Sequence, residues 1–328
     1  MSTKHHILAL LEGNRGQSIS GQQIAEQLGI SRNAVWKTVK ELEKDGHKIK
    51  SVTGKGYLLC EDSDVLSVQG MLPFLPCVEM AENIHLYDHL ASTNKTAKEM
   101  AVSGAGHGTA IIADMQTAGS GRYNRKFFSP PGGIYLSLVL HPVHLWFDPS
   151  MVTLFAALSV CEAIEAVCQK QPQIKWVNDI LLEEKKIGGI LTQAIVDFES
   201  GATGWIILGI GINFSTPELA FPEELRKTAG SIFAREKPTV SRNRLIAEVI
   251  GRVLAPAAKY SEKEIIERYK QRLSTLGQKV LVSSGGSEPY PATALDIDSA
   301  GHLVVQTSSG EILCLSAGEV SILKASTQ

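Results

Sequence analysis

Ser20-Gly-Gln-Gln-Ile-Ala-Glu-Gln-Leu-Gly-Ile-Ser-Arg-Asn-Ala-Val-Trp-Lys-Thr-Val-Lys-Glu-Leu42 reads as two short helices around a tight turn. Ser20 followed by Gln23 fits a capping box, and Ile24 and Leu28 lie four apart on one face. Gly29 permits the left-handed conformation that ends a helix, and Ser31 is placed to cap the next one. On that second helix Val35, Val39 and Leu42 form an inward stripe, while Arg32, Asn33, Trp36 and Lys37 share another face. Their donors near the helix start suit phosphates and base edges, as a recognition helix requires.

Just downstream, Lys48-Ile-Lys-Ser-Val-Thr-Gly-Lys-Gly-Tyr-Leu-Leu59 has the pattern of two strands around a glycine-rich turn, the wing of a winged helix, with Lys55 at its tip. A three-helix packing module without nucleic-acid contact shares this geometry. The agreement of caps, turn, basic face and wing favours DNA. Charge supports the same division: residues 1–60 carry nine Lys and Arg against five acids, so the head is at +4 and the remainder at −6 of a total of −2. A basic head on an acidic body is expected if only the head meets a polyanion.

At 328 residues, with 44% hydrophobic and 20% charged side chains, the chain has room for two or three domains and the composition of a folded globular protein. Five cysteines (60, 77, 161, 168 and 314) form no C-x-x-C pair and read as reduced thiols, and His141 and His144 as loop residues, so no metal site is read directly from the sequence. The apolar stretch 151–161 is interrupted and too short for a membrane span, and the N-terminus lacks a signal pattern, so a cytoplasmic protein is expected.

Beyond residues 63–80, taken as an interdomain linker, strand candidates at 84–87, 109–114, 134–141, 175–177, 190–198 and 205–210 outnumber helices, of which 149–169 is the longest. The expected class is α+β with a mixed sheet. A polar turn, Ala91-Ser-Thr-Asn94, leads into a helix. The loop Gln116-Thr-Ala-Gly-Ser-Gly-Arg-Tyr-Asn-Arg-Lys-Phe127 combines close backbone approach at Gly119 and Gly121 with the positive charges of Arg122, Arg125 and Lys126. By itself such a loop is as readily a solvated connection as a phosphate cradle. Further on stand Lys175-Trp-Val-Asn-Asp179, Lys186-Ile-Gly-Gly189 and Gly209-Ile-Gly-Ile-Asn213. Taken singly, Asp179 reads as a hairpin-turn residue and Lys186 as a strand-edge charge.

These motifs in this order, with Ser92-Thr-Asn94 before them, resemble the bacterial biotin protein ligases, and the winged-helix head resembles the bifunctional subgroup in which the ligase also represses biotin synthesis. The resemblance covers nearly the whole chain. It implies a winged helix-turn-helix at residues 1–62, a biotin- and ATP-binding catalytic domain at 81–270 and a small SH3-like β-barrel at 271–328.

The resemblance also assigns roles. Ser92, Thr93, Asn94 and Gln116 match residues lining the biotin pocket; Gly119, Ser120, Gly121 and Arg122 match the loop that closes over biotin and the adenylate. Lys186, with Gly189 behind it, matches the lysine that meets the biotin carboxylate and reacting phosphate, Asn178 and Asp179 the turn beside the nucleotide, and Asn213 an adenylate-site residue. Lys186, Arg122 and Asp179 are the implied catalytic residues, with Mg²⁺ entering with ATP near Asp179; Ser31, Arg32, Asn33, Trp36, Lys37 and Lys55 are the implied DNA contacts. The implied partners are a biotin carboxyl carrier protein, operator DNA and a second copy of the chain. Two positions depart from the family pattern, which often has Arg at Ser120 and Trp at Phe127. The related lipoate ligases share the chemistry, but their double-Arg, triple-Gly and His pattern is not visible. A ligand-sensing repressor without ligase activity is the other alternative, against which stand Lys186 and Arg122.

Overall fold

A computed structural model describes residues 2–145, 148–196, 203–255, 261–283, 288–316 and 319–323. The head contains α1 (Thr3–Gly13), β1 (Ser18–Ile19), α2 (Gly21–Leu28), α3 (Arg32–Lys44), β2 (Ile49–Val52) and β3 (Gly56–Leu59). Ser20 and Gln23 form the expected capping box, Gly29 ends α2 at φ 64°, and the Ser31 hydroxyl accepts from the Ala34 N–H at 3.1 Å to cap α3. Ile7, Leu11, Ile24, Val35, Val39 and Leu42 close a core of their own. The strands form a small antiparallel sheet in the order β1-β3-β2. Gly56 is required where it stands, because a Cβ there would lie 2.2 Å from the Ile19 carbonyl, at a φ of +105°.

Of the residues expected to form a linker, 63–71 are packed while most of 73–79 are exposed. Ser63 is buried, and the short helix α4 (Val68–Met71) buries Gln69, Gly70 and Met71.

The body is one seven-stranded sheet in the order β4-β5-β6-β10-β9-β8-β7. Its elements are β4 (Ile84–Leu90), α5 (Thr93–Val102), β5 (Ala110–Gln116), β6 (Ile134–Leu140), α6 (Val152–Cys168), β7 (Gln173–Lys175), β8 (Asp179–Leu182), β9 (Lys185–Val196), β10 (Thr203–Ile212), α7 (Arg242–Val253) and α8 (Glu262–Gln271). Only β4 and β5 pair in parallel; all other neighbours in the sheet are antiparallel. Strand residues alternate between two cores: Ala110, Ile112, Leu136 and Leu138 face the layer of α6, α7 and α8, whereas Ile111, Val139 and Ile207 pack with Ala97 and Ala101 of α5.

Some expected bounds shift. The 149–169 helix becomes a 3₁₀ turn, Pro149–Met151, followed by α6, and the strand expected at 190–198 starts earlier, at Lys185; Phe198 lies outside the described residues. By length and composition Pro149–Cys168 is apolar enough to cross a membrane, yet 83% of its most apolar 18-residue window is buried in the body's core.

The C-terminal unit is β11 (Lys279–Ser283), β12 (Tyr290–Ile297), β13 (Leu303–Thr307), β14 (Ile312–Leu315) and β15 (Glu319–Ile322), all antiparallel in the order β14-β13-β12-β11-β15. Its apolar face joins the body core, and the Trp176 indole N–H donates to the Gly301 carbonyl at 3.0 Å.

Candidate functional site

Strand ends of the body converge on a cavity of about 300 Å³ lined by Ser92, Thr93, Asn94, Gln116, Ser120, Gly121, Arg122, Asp179, Lys186 and Gly189 among others. One wall is a polar network. The Gln116 side-chain carbonyl accepts from the Thr93 backbone N–H at 2.7 Å and hydroxyl at 3.1 Å, while its amide donates to the Ser129 hydroxyl at 3.0 Å. The Asn94 amide donates to the Gln193 side chain at 3.0 Å. Ser137, fully buried in the otherwise apolar β6, has its hydroxyl 2.8 Å from Thr93 Oγ1 and 2.6 Å from Asn94 Oδ1. Ser92 stands at the N-cap of α5 without capping it through its side chain.

The glycines of β10 make room for this wall. A Cβ on Gly209 would lie 2.2 Å from Asn94 Oδ1, and one on Gly211 would lie 2.7 Å from the Phe127 ring. Phe127, the aromatic residue that departs from the family pattern, thus packs across β10 and meets Tyr135 edge-on at 6.4 Å. Gly119 does not line the cavity; a Cβ there would lie 2.5 Å from both the Phe127 carbonyl and Ser129 Oγ, so its place is beneath the loop.

The loop itself folds back as a short hairpin. Ser120 bridges to Lys126, the Gly121 N–H donates to the Arg125 carbonyl at 2.7 Å, and Tyr123 and Asn124 take positive φ of 55° and 56°. Arg122 Nη1 reaches the Asn178 side-chain carbonyl at 3.3 Å, joining the loop to the turn between β7 and β8. The buried Tyr269 hydroxyl supports that turn by donating to the Val177 carbonyl at 2.8 Å, and burial pushes its pKa well above the usual phenol range.

Lys186 enters from β9. Its backbone is held on the far side, the N–H donating to Thr228 and the carbonyl accepting from Gly230, at 2.7 and 2.9 Å. Its ammonium lies 2.5 Å from Asp179 Oδ1, and both side chains remain partly open to solvent. Arg122, Arg125, Lys126, Lys175 and Lys186 line this cavity, with Asp179 the one carboxylate among its described residues, so the surroundings favour an anion.

A second cavity of about 830 Å³ shares Lys126, Phe127, Lys175, Asp179, Lys186, Leu225 and Ser321 of β15 with the first. Asn213 lines this second cavity, not the first. Its amide donates to the Gly230 carbonyl at 2.9 Å, whereas its buried carbonyl oxygen has no partner among the described residues. Reading the sequence missed Ser137, Ser129, Gln193 and, as a site residue, Lys175. A lone serine in the run Ile134-Tyr-Leu-Ser-Leu-Val-Leu140 was the available signal for the first.

On the head, Arg32, Asn33, Trp36 and Lys37 are exposed on one side of α3, with Trp36 half exposed despite its apolar ring. Lys55 lies in the turn between β2 and β3, its N–H donating to the Val52 carbonyl at 3.0 Å. No group of three or more His, Cys, Asp or Glu side chains among the described residues has the arrangement of a metal site. His141 and His144 instead form an aromatic cluster with His107, whose ring lies 4.9 Å from that of His144.

The chain matches three family models in succession: the HTH domain over residues 3–58, the biotin/lipoate A/B protein ligase family over 87–213, and the biotin protein ligase C-terminal domain over 275–323. It is 35% identical over 93% of its length to the bifunctional ligase/repressor BirA of Bacillus spizizenii, covering 94% of that protein. It is 29% identical to the protein of the same name from Escherichia coli, over 97% of both chains. Among solved structures, a biotin protein ligase from Aquifex aeolicus in complex with biotin and ATP superposes on 74% of this chain and 100% of its own, with a TM-score of 0.63 at 28% identity.

Proposed function

This chain belongs to the family of biotin protein ligases that double as transcriptional repressors, and from that premise we propose how its residues divide the work. The chain makes biotinyl-5′-AMP from biotin and ATP, transfers biotin to a lysine of the carrier domain of acetyl-CoA carboxylase, and represses biotin synthesis genes through its head with the adenylate as corepressor.

The observation that carries the residue assignment is the junction of the two cavities at Lys186 and Asp179. Biotin occupies the first, its ureido ring on the Ser92, Thr93, Asn94 and Gln116 wall and its carboxylate toward Lys186. ATP occupies the second, whose lining includes Asn213. A carboxylate oxygen then attacks the α-phosphorus, forming the mixed anhydride and expelling pyrophosphate. Negative charge gathers on the phosphate oxygens, where Lys186 and Arg122 stabilise it. In the second step the carrier ε-amine attacks the biotinyl carbonyl and AMP leaves. Until then the loop from Gly119 to Phe127 keeps water from the anhydride.

Mg²⁺ neutralises phosphate charge when bound. The donor set fits an ion that arrives on the nucleotide and keeps much of its water, since the described residues of the two cavities offer only the carboxylates of Asp179, common to both, and Glu184 in the second, and not a protein cage. Paired heads reading a palindromic operator imply a two-fold dimer, with Arg32, Asn33, Trp36, Lys37 and Lys55 on the DNA. The shared location of carrier domain, ATP and operator makes the site of action the cytoplasm.

The test is transfer of labelled biotin from ATP-dependent reactions to a carrier domain, with lipoate as control. Biotin-only transfer is expected; equal lipoate transfer, or none of either, overturns the reading.

A further inference from the structure

Three segments far apart in sequence meet on one buried guanidinium. Arg242, the first residue of α7, has a side chain only 7% exposed. Its Nε donates to Asp64 Oδ2 at 2.7 Å and its Nη2 to the Asp64 main-chain carbonyl at 2.9 Å. Its Nη1 donates to Asp114 Oδ1 at 2.6 Å and to the Gly133 carbonyl at 3.0 Å, and its own backbone N–H donates to Asp64 Oδ1 at 2.9 Å. Burial works against its charge, but the Asp64 and Asp114 carboxylates outweigh it and hold the pKa above the usual value.

The positions of these partners matter more than their number. Asp114 lies on β5 two residues before Gln116, and Gly133 immediately precedes β6, so the guanidinium spans both stems of the segment that contains the Gly119–Phe127 loop. Asp64 is where the chain leaves the head. Its neighbour Ser63 accepts from Arg15 Nη1 at 2.7 Å and, through its hydroxyl, from the Lys48 backbone N–H at 3.1 Å. Arg15 is gripped in turn by the buried Glu12 of α1 at 2.7 Å. Asn243 adds a second fastening, accepting from Ser67 N–H and donating to the Val65 carbonyl.

A buried charge shared by two carboxylates resists separation from either, because the group left behind would be uncompensated. Displacement of a loop stem therefore pulls on Asp64 instead of being absorbed locally. We propose that Arg242 is a positioning residue that ties closure of the adenylate loop to the setting of the DNA-binding head, so that occupancy of each site biases the other. This rests on the ligase and repressor reading above, and it assigns the residue through which the two halves communicate.

Coupling of this kind is reciprocal: the factor by which adenylate tightens DNA binding equals the factor by which DNA tightens adenylate binding. The experiment uses the full chain, biotinyl-AMP, and a palindromic duplex selected from a random pool by the liganded protein. Protein concentration is set so that sedimentation shows one oligomeric state throughout. The native chain is expected to give the same factor in both directions, about 5-fold or more. Asp64→Asn, at a partly open carboxylate, and Asp114→Asn are each expected to bind either ligand alone within about twofold of native while the factor falls toward one. Arg242→Lys gives the same result if it folds, and the two Asp variants decide the matter if it does not. An unchanged factor in both Asp variants, even with a lowered Tm, shows that the cluster is only a structural clamp and overturns the proposal. So does a native factor of one with both ligands bound. Failure of the native chain to form adenylate or capture any duplex would instead overturn the underlying reading of function.

Discussion

Replacing Lys186 by Ala separates chemistry from folding, because the two depend on different atoms of that residue. Its backbone bonds to Thr228 and Gly230 survive the substitution, and its ion pair with Asp179 is partly open to water, 39% and 23% exposed on the two sides. Pairs so exposed contribute under about 1 kcal/mol. The expected loss of Tm is therefore no more than about 3 °C. In the assignment proposed above, the same ammonium meets the charge that develops on the α-phosphate. Loss of one such donor costs about 3 kcal/mol in the transition state, roughly 100-fold in rate. The assay is pyrophosphate release at saturating biotin and ATP, alongside a thermal melt. Asp179→Asn in the same background adds a sharper test. Since the two side chains are bonded to each other, the double variant should lose less than the two single losses combined. Pyrophosphate release within about threefold of native in Lys186→Ala would refute the argument, since it lies far from the loss expected of such a donor.

Gly209→Ala should weaken biotin binding at least about tenfold, because its Cβ would lie 2.2 Å from Asn94 Oδ1 and push that side chain out of its hydrogen bonds toward the cavity; unchanged affinity by calorimetry would count against placing biotin on that wall. Arg32→Ala or Lys37→Ala should lower the salt dependence of duplex binding by about one ion per lost phosphate contact while leaving biotin transfer intact. Unchanged slopes in both would remove this face of α3 from the DNA. At low pH, stability should decline through His107, whose pKa is lowered by burial and by His144 and His141 beside it. A histidine that resists protonation in the folded state contributes fully above its unfolded pKa of about 6.5, and that contribution is lost as pH falls below it. His107→Gln should accordingly flatten the fall of Tm between pH 7 and pH 5, and an identical slope would exclude this residue as a source of it.

Much of this protein is written within a few residues of itself. The Ser20 and Gln23 box, the αL turn at Gly29, the Ser31 cap and the glycine wing are settled by hydrogen bonds and backbone angles spanning no more than about one helical turn, so they are legible in the chain alone. The order of the polar motifs likewise carries the family resemblance, since it is a property of the chain alone. Sheet order was not legible in this way. β6 pairs with β10, and β4 lies parallel to β5, through contacts that no local propensity specifies. That pairing is what brings Ser137 beneath Thr93 and Asn94 and sets Gly209 against Asn94. It also turns Asn213 toward the second cavity and leaves Gly119 under the loop. Residues 63–80 show the contrast most plainly. Their prolines, acids and lack of periodicity read as a connection, because a lone carboxylate such as Asp64 has no meaning until its partner is known. Arg242, 178 residues away, supplies that partner only once α7 is packed against the sheet. The burial that makes the charge pair strong is created by the tertiary fold itself.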